Sequence, residues 1–413
     1  MRRVVVTGLG AITPLGKDVR TTWDGLLQGR SGIDRIASFD TSDHAVKIAG
    51  EVKGFSPDER IPPKSAKRLD RCVQLALWSA IEAVAGAGID FSKYDPDRVG
   101  VIIGSGIGGL RTWEAEHTKF IEQGPGRVSP FLIPMMICDM TSGYVSIHWG
   151  LKGPNYTTVS ACASGAHAIG DSFRAIKYGD ADVMVTGGAE ASITPFALAG
   201  FSNMRALSRR NDEPQKASRP FDKARDGFVM AEGAAVLVLE ELDAARQRGA
   251  KIYCEISGFG ATGDGYHITA PAPEGEGARR SMARAIKEAG CCIEDIDYIN
   301  THGTSTELND KFEARAIKDL FGAQAGKIVL NATKSMLGHS LGAAGAIEAV
   351  VTILSIVHQT VHPTLNLEDP DPECAGLDIV RNGPGPRTVK IAHALSNSLG
   401  FGGHNATVCF RRL

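Results

Sequence analysis

The sequence predicts an α/β fold built twice over, and three observations carry that expectation. A strand running into glycines opens each half: Val4-Val5-Val6-Thr7-Gly8-Leu9-Gly10 at the start, and Lys251 through Gly258-Phe259-Gly260 later. In each half a β-rich segment leads into a helix of small residues, after Cys162 in the first and from Leu341 in the second. Strand and helix periods alternate between these landmarks, the pattern that builds layered sheets and helices. The halves are expected at residues 1–250 and 251–413, and they match in outline rather than in residue identity.

In the first half, Thr22 to Gln28 reads as a short helix, and Pro62 to Gly86 as a longer one. In the latter, Val73, Leu77, Ala80, Ile81 and Val84 recur at helical spacing and face the core. Lys64, Lys67, Arg68 and Arg71 fall at i, i+3, i+4 and i+7 and share one face. Such a basic stripe suits an acidic partner. Arg98 to Ile103 is a buried-strand pattern running into Gly104-Ser105-Gly106-Ile107-Gly108-Gly109. That hexad matches G-x-G-x-x-G, but Lys119 to Arg127 is polar and no second strand ending in an acid follows. Dinucleotide binding is rejected; the glycines let the loop pass close to other backbone or to a ligand. Asp182 to Gly188 is a strand, Leu207 to Asp226 a long loop, and Phe228-Val229-Met230 pairs with Ala234 to Leu239 before a charged helix, Glu240 to Gly249. The second half supplies a helix (Arg279 to Gly290), strands at Tyr298-Ile299-Asn300 and Ile328 to Asn331, and final strands at His393 to Ser398 and Ala406 to Phe410.

Composition narrows the function. With 413 residues, 43% hydrophobic and 22% charged, the chain has the make-up of a soluble globular protein. A net charge of −2 argues against a general binder of nucleic acid or anionic membrane. Eight cysteines without a C-x-x-C pair exclude the usual zinc and thioredoxin spacings and point to a reducing compartment. Thr7, Gly8, Gly10 and Pro14 interrupt the first apolar run too early for a signal peptide. Leu341 to Val357 carries Glu348 and is too short and too rich in small residues to span a bilayer. A cytoplasmic location is expected.

Cys162 stands where Thr157-Thr158-Val159-Ser160-Ala161 gives way to Ala163-Ser164-Gly165-Ala166, at a strand-to-helix turn. Unpaired N–H groups and the dipole there favour an anion by about 0.3–1 kcal/mol, up to about 2 when partly buried. A free thiol titrating near about 8.5 then falls only to roughly 7–8. A small buried cysteine packing a helix start fits the local pattern as well as a nucleophile does. Two histidines bear on the choice. His302, in Asn300-Thr301-His302-Gly303-Thr304-Ser305-Thr306, follows a strand directly; His339, in Lys334-Ser335-Met336-Leu337-Gly338-His339, precedes the buried helix at the place corresponding to Cys162. Asn397 to Asn405 is a glycine loop around Phe401. A lone histidine is more often structural, but here the cysteine and both histidines fall at strand exits bordered by glycine.

These motifs, in this order and spacing, resemble the β-ketoacyl-[acyl-carrier-protein] synthases of the thiolase fold, over essentially the whole chain. The resemblance implies a thiolase-like duplicated α-β-α-β-α layered fold and a decarboxylative condensation. Two histidines mark the elongating branch, and Ile107 resembles the synthase II type, where that side chain lines the acyl pocket. The resemblance assigns the acyl nucleophile to Cys162, decarboxylation to His302 and His339 beside Lys334, and the oxyanion hole to the backbone of Cys162 and Phe401. It implies substrate contacts at Ile107, Leu132, Thr304, Thr306 and Gly402, and docking of an acidic acyl carrier protein at Lys64, Lys67, Arg68, Arg127 and Arg205. A homodimer is implied, with no cofactor beyond the carrier's phosphopantetheine and no metal. Thr301, where alanine is common, and Leu132, where an aromatic often borders the pocket, depart from the family pattern. A CoA-using thiolase would want a second reactive cysteine in a C-terminal Cys-x-Gly loop, where this chain reads Gly-Phe-Gly-Gly. A chain-length-setting polyketide subunit would lack Cys162, whereas a polyketide ketosynthase would share these residues.

Overall fold

Among the described residues eleven strands form one sheet, most of them buried along their length. The first half contributes β1 (Val4–Ile12), β2 (Val99–Gly104), β3 (Asn155–Tyr156), β4 (Val183–Glu190) and β5 (Gly233–Glu241). The second contributes β6 (Cys254–Gly263), β7 (Ile296–Asn300), β8 (Val329–Asn331), β9 (Asp378–Ile379), β10 (His393–Gly400) and β11 (His404–Arg411). The computed structural model describes residues 1–381, 383 and 385–413. The strand order is β9-β8-β7-β10-β11-β6-β1-β5-β4-β2-β3. Outward from the central β1–β6 pair, the first half runs first, fifth, fourth, second, third; the second half repeats this order and adds β9 at its edge. Directions repeat too. β5 is antiparallel to β1 and β4, with β4, β2 and β3 parallel; β11 is antiparallel to β6 and β10, with β10, β7 and β8 parallel.

Five helices complete the layers: α1 (Arg71–Ala87), α2 (Ser164–Tyr178), α3 (Glu276–Ala289), α4 (Glu307–Phe321) and α5 (Ala344–His358). α1 covers β1 and β5, and α3 covers β6 and β11, while α2 and α5 touch each other and strands of both halves. Three apolar clusters match this arrangement, one beneath α1, one beneath α3 and α4, and a central one around Ile169, Phe173, Ile347 and Val350. The paired glycines of the opening strands are the seats of the outer helices. A Cβ on Gly8 or Gly10 would lie 2.1 Å from Ala83 O or 1.9 Å from Ser79 O; on Gly258 or Gly260, 2.2 Å from Ala285 O or 2.0 Å from Ser281 O. The same device is used twice.

Several local expectations change. The first helix is Val19–Leu27, because Asp18 caps it by accepting the Thr21 N–H. The Pro62–Gly86 stretch is two helices, Pro63–Ala66 and α1, because Asp70 turns inward: its carboxylate caps the Cys72 N–H and also accepts from Thr112. The basic stripe is therefore broken. Arg71 leaves it to form a two-pronged pair with Glu232, both bonds at 2.7 Å. Phe228–Met230 is not a strand: Phe228 bridges to Leu207 and Met230 to His339. Thr157 to Val159 has no ladder either, since only Asn155 and Tyr156 pair with β2. The polar stretch from Lys119 falls largely in a helix, Leu110–Gln123, that opens on the hexad; no strand follows, only a short turn and the helix Leu132–Met136. Leu341–His358 is long and apolar enough to cross a membrane by length and composition, yet it lies in the middle of the fold. Replacing Gly258 with Ala forces a methyl group into the Ala285 carbonyl and is expected to cost about 1–3 kcal/mol, read as a lower urea midpoint. Gly263→Ala, with nothing within 4 Å of the added carbon, is the control and leaves the midpoint unchanged.

Candidate active site

Two backbone elbows of one shape lead into the central helices. Ala161 (φ 50°) and Leu341 (φ 47°) are non-glycine residues with positive φ. Each opens a single 3-10 turn, Ala161–Ala163 or Leu341–Ala343, that continues as α2 or α5. Cys162 follows the first elbow, and its counterpart after the second is Gly342. His339 thus stands three positions before that counterpart rather than at it. The two helices meet backbone to backbone: a Cβ on Gly165 would lie 3.0 Å from Ala346 N and Gly342 O, and one on Gly345 2.9 Å from Ala166 N. This contact brings the cysteine of one half to the histidines of the other. The Cys162 sulfur and ring nitrogens of His302 and His339 all lie within 4.8 Å of one another, buried at a cavity of about 530 Å³.

His302 leaves β7 at a turn fixed by Glu313, which accepts the His302 and Gly303 N–H groups at 2.8 and 2.9 Å. Lys334 lies behind it. Its ammonium donates to His302 Nδ1 at 3.3 Å, the His302 carbonyl at 2.7 Å and Glu348 Oε1 at 2.5 Å. An ammonium has three donors and no lone pair, so Nδ1 must accept and the ring proton sits on Nε2. His339 is held by its backbone: its N–H donates to Val229 O at 2.7 Å, and its carbonyl accepts from Ala231. Its ring stands edge-on between Phe228 and His302, and among the described residues its Nδ1 has no hydrogen-bond partner. Burial, and then the Lys334 ammonium, push both imidazoles well below their usual range, so both are neutral at physiological pH.

The thiol departs from expectation. Burial pushes Cys162 up to about 12, outweighing Lys334 and the Phe401 backbone amide, which pull it down; the Glu190 carboxylate adds to the rise. The helix start is too weak to offset that desolvation. Phe401 sits on the β10–β11 hairpin, where Gly402 (φ 83°) and Gly403 (φ 73°) make the turn. Gly400 lets this hairpin lie on Cys162, since a Cβ there would be 2.8 Å from Ser160 O and 3.2 Å from Cys162 N.

Ile107, Thr304, Thr306, Phe401 and Arg205 also line the cavity, with the two threonine hydroxyls 2.9 Å apart. Lys334 acts from behind His302. Gly402 does not line the cavity; its N–H bonds to Ile268 O. Leu132 is not brought there either and lies between exposed Phe131 and Ile133. Lys64, Lys67, Arg68 and Arg127 are exposed, and among the described residues none of them forms an ion pair. The Arg68 guanidinium stacks 4.7 Å from the Phe131 ring, joining the 63–68 segment to the one that carries Arg127 and Leu132. Sequence reasoning missed Glu348, Glu313 and Asn397, which donates to Glu313 at 3.2 Å. Both carboxyls are pushed up to about 7 by burial. A single acid in the apolar run of α5 was the available signal for Glu348.

Two family models match the chain in tandem: the beta-ketoacyl synthase N-terminal domain over residues 1–245 and the beta-ketoacyl synthase C-terminal domain over residues 253–368. The chain belongs to the beta-ketoacyl synthase family. It is 52% identical over 411 residues to the 3-oxoacyl-[acyl-carrier-protein] synthase 2 of Staphylococcus aureus, covering 100% of this chain and 98% of the relative. Among solved structures, a beta-ketoacyl synthase from Burkholderia phymatum superposes with a TM-score of 0.93 at 36% identity, covering all of both chains. A type II polyketide ketosynthase, solved with its acyl-carrier protein and a bound hexaketide, gives a TM-score of 0.92 at 33% identity, covering 100% of this chain and 99% of the other. As a member of this family the protein is an acyltransferase of the thiolase-like fold, and both halves contribute side chains to the candidate site. Because the Cys162 thiol titrates at about 12, its alkylation by iodoacetamide should rise about tenfold per unit from about pH 7 to about pH 9 without levelling. Intact-mass kinetics check this, and a plateau near about pH 8 would contradict the burial effect.

Proposed function

We propose that the enzyme condenses malonyl-[acyl carrier protein] with an acyl chain held on Cys162, releasing CO2 and a 3-oxoacyl-[acyl carrier protein] two carbons longer. The observation that carries this is one buried thiol and two neutral imidazoles converging within 4.8 Å at a cavity of about 530 Å³. The identity of 52% to a 3-oxoacyl-[acyl-carrier-protein] synthase 2, against 33% to the polyketide enzyme, favours fatty acid elongation. Cys409, buried in β11, is no candidate for the second thiol of a CoA-dependent thiolase.

In the first stage the Cys162 sulfur attacks the thioester carbonyl of acyl carrier protein. The oxygen gains negative charge, which the amides of Cys162 and Phe401 stabilise. His302 is held as a donor by Lys334, so the imidazole able to take the thiol proton is His339, whose tautomer no partner fixes. The proton passes on to the leaving phosphopantetheine sulfur, and the acyl group stays on Cys162. In the second stage malonyl-carrier protein binds with its thioester oxygen between the imidazoles. As the carboxylate leaves as CO2, that oxygen becomes an enolate oxygen, stabilised by the His302 Nε2–H and by His339. The enolate carbon attacks the acyl-cysteine carbonyl, the carbon–carbon bond forms as the carbon–sulfur bond breaks, and the cysteine sulfur leaves as a thiolate that takes a proton from water to restore the resting thiol. Thr304 and Thr306 hold the phosphopantetheine arm, Ile107 borders the acyl chain, and Phe401 gates it. No cofactor is needed, because the carrier supplies the thioester.

Residues 1–250 then form the half that carries the acyl group and 251–413 the half that decarboxylates. Lys64, Lys67, Arg68, Arg127 and Arg205, exposed and without ion pairs among the described residues, suit an acidic carrier protein. The open edge at β3, with exposed Ile133, Ile147, Tyr156 and Val159, suits a second copy of the chain and supports a homodimer. Free thiols at all eight cysteines support a cytoplasmic location. The test supplies acyl- and malonyl-carrier protein to the purified enzyme. It should yield CO2 and the extended 3-oxoacyl product, Cys162→Ala should abolish the product, and paired Lys67→Glu and Arg68→Glu substitutions should raise KM for the carrier about tenfold at low salt with kcat kept. Condensation by the Cys162→Ala variant, or turnover of CoA esters alone, would overturn the proposal.

A further inference from the structure

The glycine loop that imitates a dinucleotide fingerprint does cradle an anion, and the anion is the protein's own. Glu190 ends β4 fully buried, and among the described residues no cation pairs with it. Six donors from both halves close on its two oxygens. Oε1 accepts from Ser105 Oγ (3.2 Å), Ile107 N (3.3 Å), Gly108 N (3.3 Å) and Ser192 Oγ (3.1 Å). Oε2 accepts from Gly106 N (2.8 Å) and, across the duplication, from Gly342 N (3.1 Å). Gly106 and Ile107 line the acyl cavity from the first half, and Leu341, directly before Gly342, lines it from the second. Side chains are excluded at this joint: a Cβ on Gly342 would lie 2.3 Å from Gly106 N and 2.8 Å from Glu190 Oε2.

We propose that Glu190 is a positioning residue of the acyl site, tying the Gly106-Ile107-Gly108 loop to the Leu341-Gly342 elbow and so deciding which acyl chains fit. It rests on the reading of this cavity as the acyl site. A carboxylate suits the task because each oxygen accepts several bonds and neither donates. A glutamine cannot replace it: its one carbonyl oxygen serves the four donors at the Oε1 position or the two at Oε2, and its NH2 group then faces N–H groups. With the amide nitrogen at the Oε2 position both Gly106 and Gly342 lose their anchor; at the Oε1 position Ile107 and Gly108 lose theirs. Either way the joint loosens and Ile107 can recede from the cavity. The carboxylate has a second effect at the same place. Cys162 faces the Lys334 ammonium, the neutral His302 and His339, and Glu190; of these, Glu190 opposes the thiolate, as it does for the neighbouring thiols of Cys72 and Cys138.

The test compares wild type with Glu190→Gln and with the milder Ser105→Ala, which removes one donor to Glu190 together with the bond from Gly108 N–H to Ser105 Oγ (3.1 Å). kcat/KM is measured with hexanoyl- and palmitoyl-carrier protein, and the pH profile of Cys162 alkylation is recorded for each protein. Glu190→Gln should raise the palmitoyl-to-hexanoyl ratio about tenfold and move the alkylation profile to lower pH. Ser105→Ala should raise the ratio by a smaller factor, and it decides the matter if Glu190→Gln does not fold. An equal fall for both chains would overturn the proposal, because a merely structural residue moves both alike. Should wild type condense neither chain, the proposed function fails. Glu190 is then judged by alkylation alone: a shifted profile supports its coupling to Cys162, and an unshifted one overturns it.

Discussion

The contact between α2 and α5 is the constraint on which the rest of this molecule depends. Two helices that meet at Gly165 and Gly345 bring their backbones close enough that even a methyl group would crowd the neighbouring amides. That approach sets the two elbows side by side, and each elbow delivers part of the site. The first presents Cys162; the second brings its Gly342 amide to Glu190 and places His339 just upstream. Neither half holds the thiol and the imidazoles together. The duplicated fold therefore serves function through its centre, where two copies of one strand-elbow-helix unit face each other and have diverged at the residue after the elbow, cysteine in one and glycine in the other.

Charge inside this centre is buried, and that shapes the chemistry. Burying Lys334 and Glu348 carries a desolvation cost of several kcal/mol per ion, and removing one partner of such a pair typically costs about 3–5 kcal/mol. Their contact at 2.5 Å, with two further bonds to His302, satisfies every ammonium donor. The arrangement holds His302 in one tautomer and keeps both imidazoles neutral, the form that donates a hydrogen bond to a developing enolate. The same burial holds Cys162 protonated at rest, so in the proposed reaction the thiol gives up its proton as the thioester arrives. The site is poised for an oxyanion rather than for a standing thiolate.

Much of this was legible in the sequence, and what was not has physical reasons. Gly8, Gly10, Gly258 and Gly260 announced the duplication, because a strand that seats a helix by backbone contact must spare its side chains there. Cys162, His302 and His339 stood out as expected strand exits bordered by glycine, and Phe401 as the bulky residue of a glycine loop. Of the three expected exits only His302 follows a strand closely, since Cys162 lies in a 3-10 turn and His339 follows a short helix. The break between Pro63–Ala66 and α1 was hidden, because Asp70 reads as one more polar helix residue until Thr112 draws it inward. Arg71 looked like a surface cation because its partner, Glu232, is remote in sequence. Phe228 to Met230 had a strand's composition, but its bonds go to Leu207 and His339 separately, which composition does not encode. Glu190 and Glu348 are single acids in apolar surroundings and Glu313 is one of several acids on a charged helix; their meaning lies in the donors that reach them in the folded chain.

In the proposed division of labour the first half carries the acyl group and the second removes CO2, and one measurement tests it directly. His302→Ala is incubated with acyl-carrier protein and followed by intact-mass spectrometry, and CO2 release from malonyl-carrier protein is then timed. The account predicts that Cys162 still takes up the acyl group while CO2 release falls by about a hundredfold or more, the loss expected for one oxyanion donor. Unchanged CO2 release, or an equal loss of acylation and decarboxylation, would contradict it.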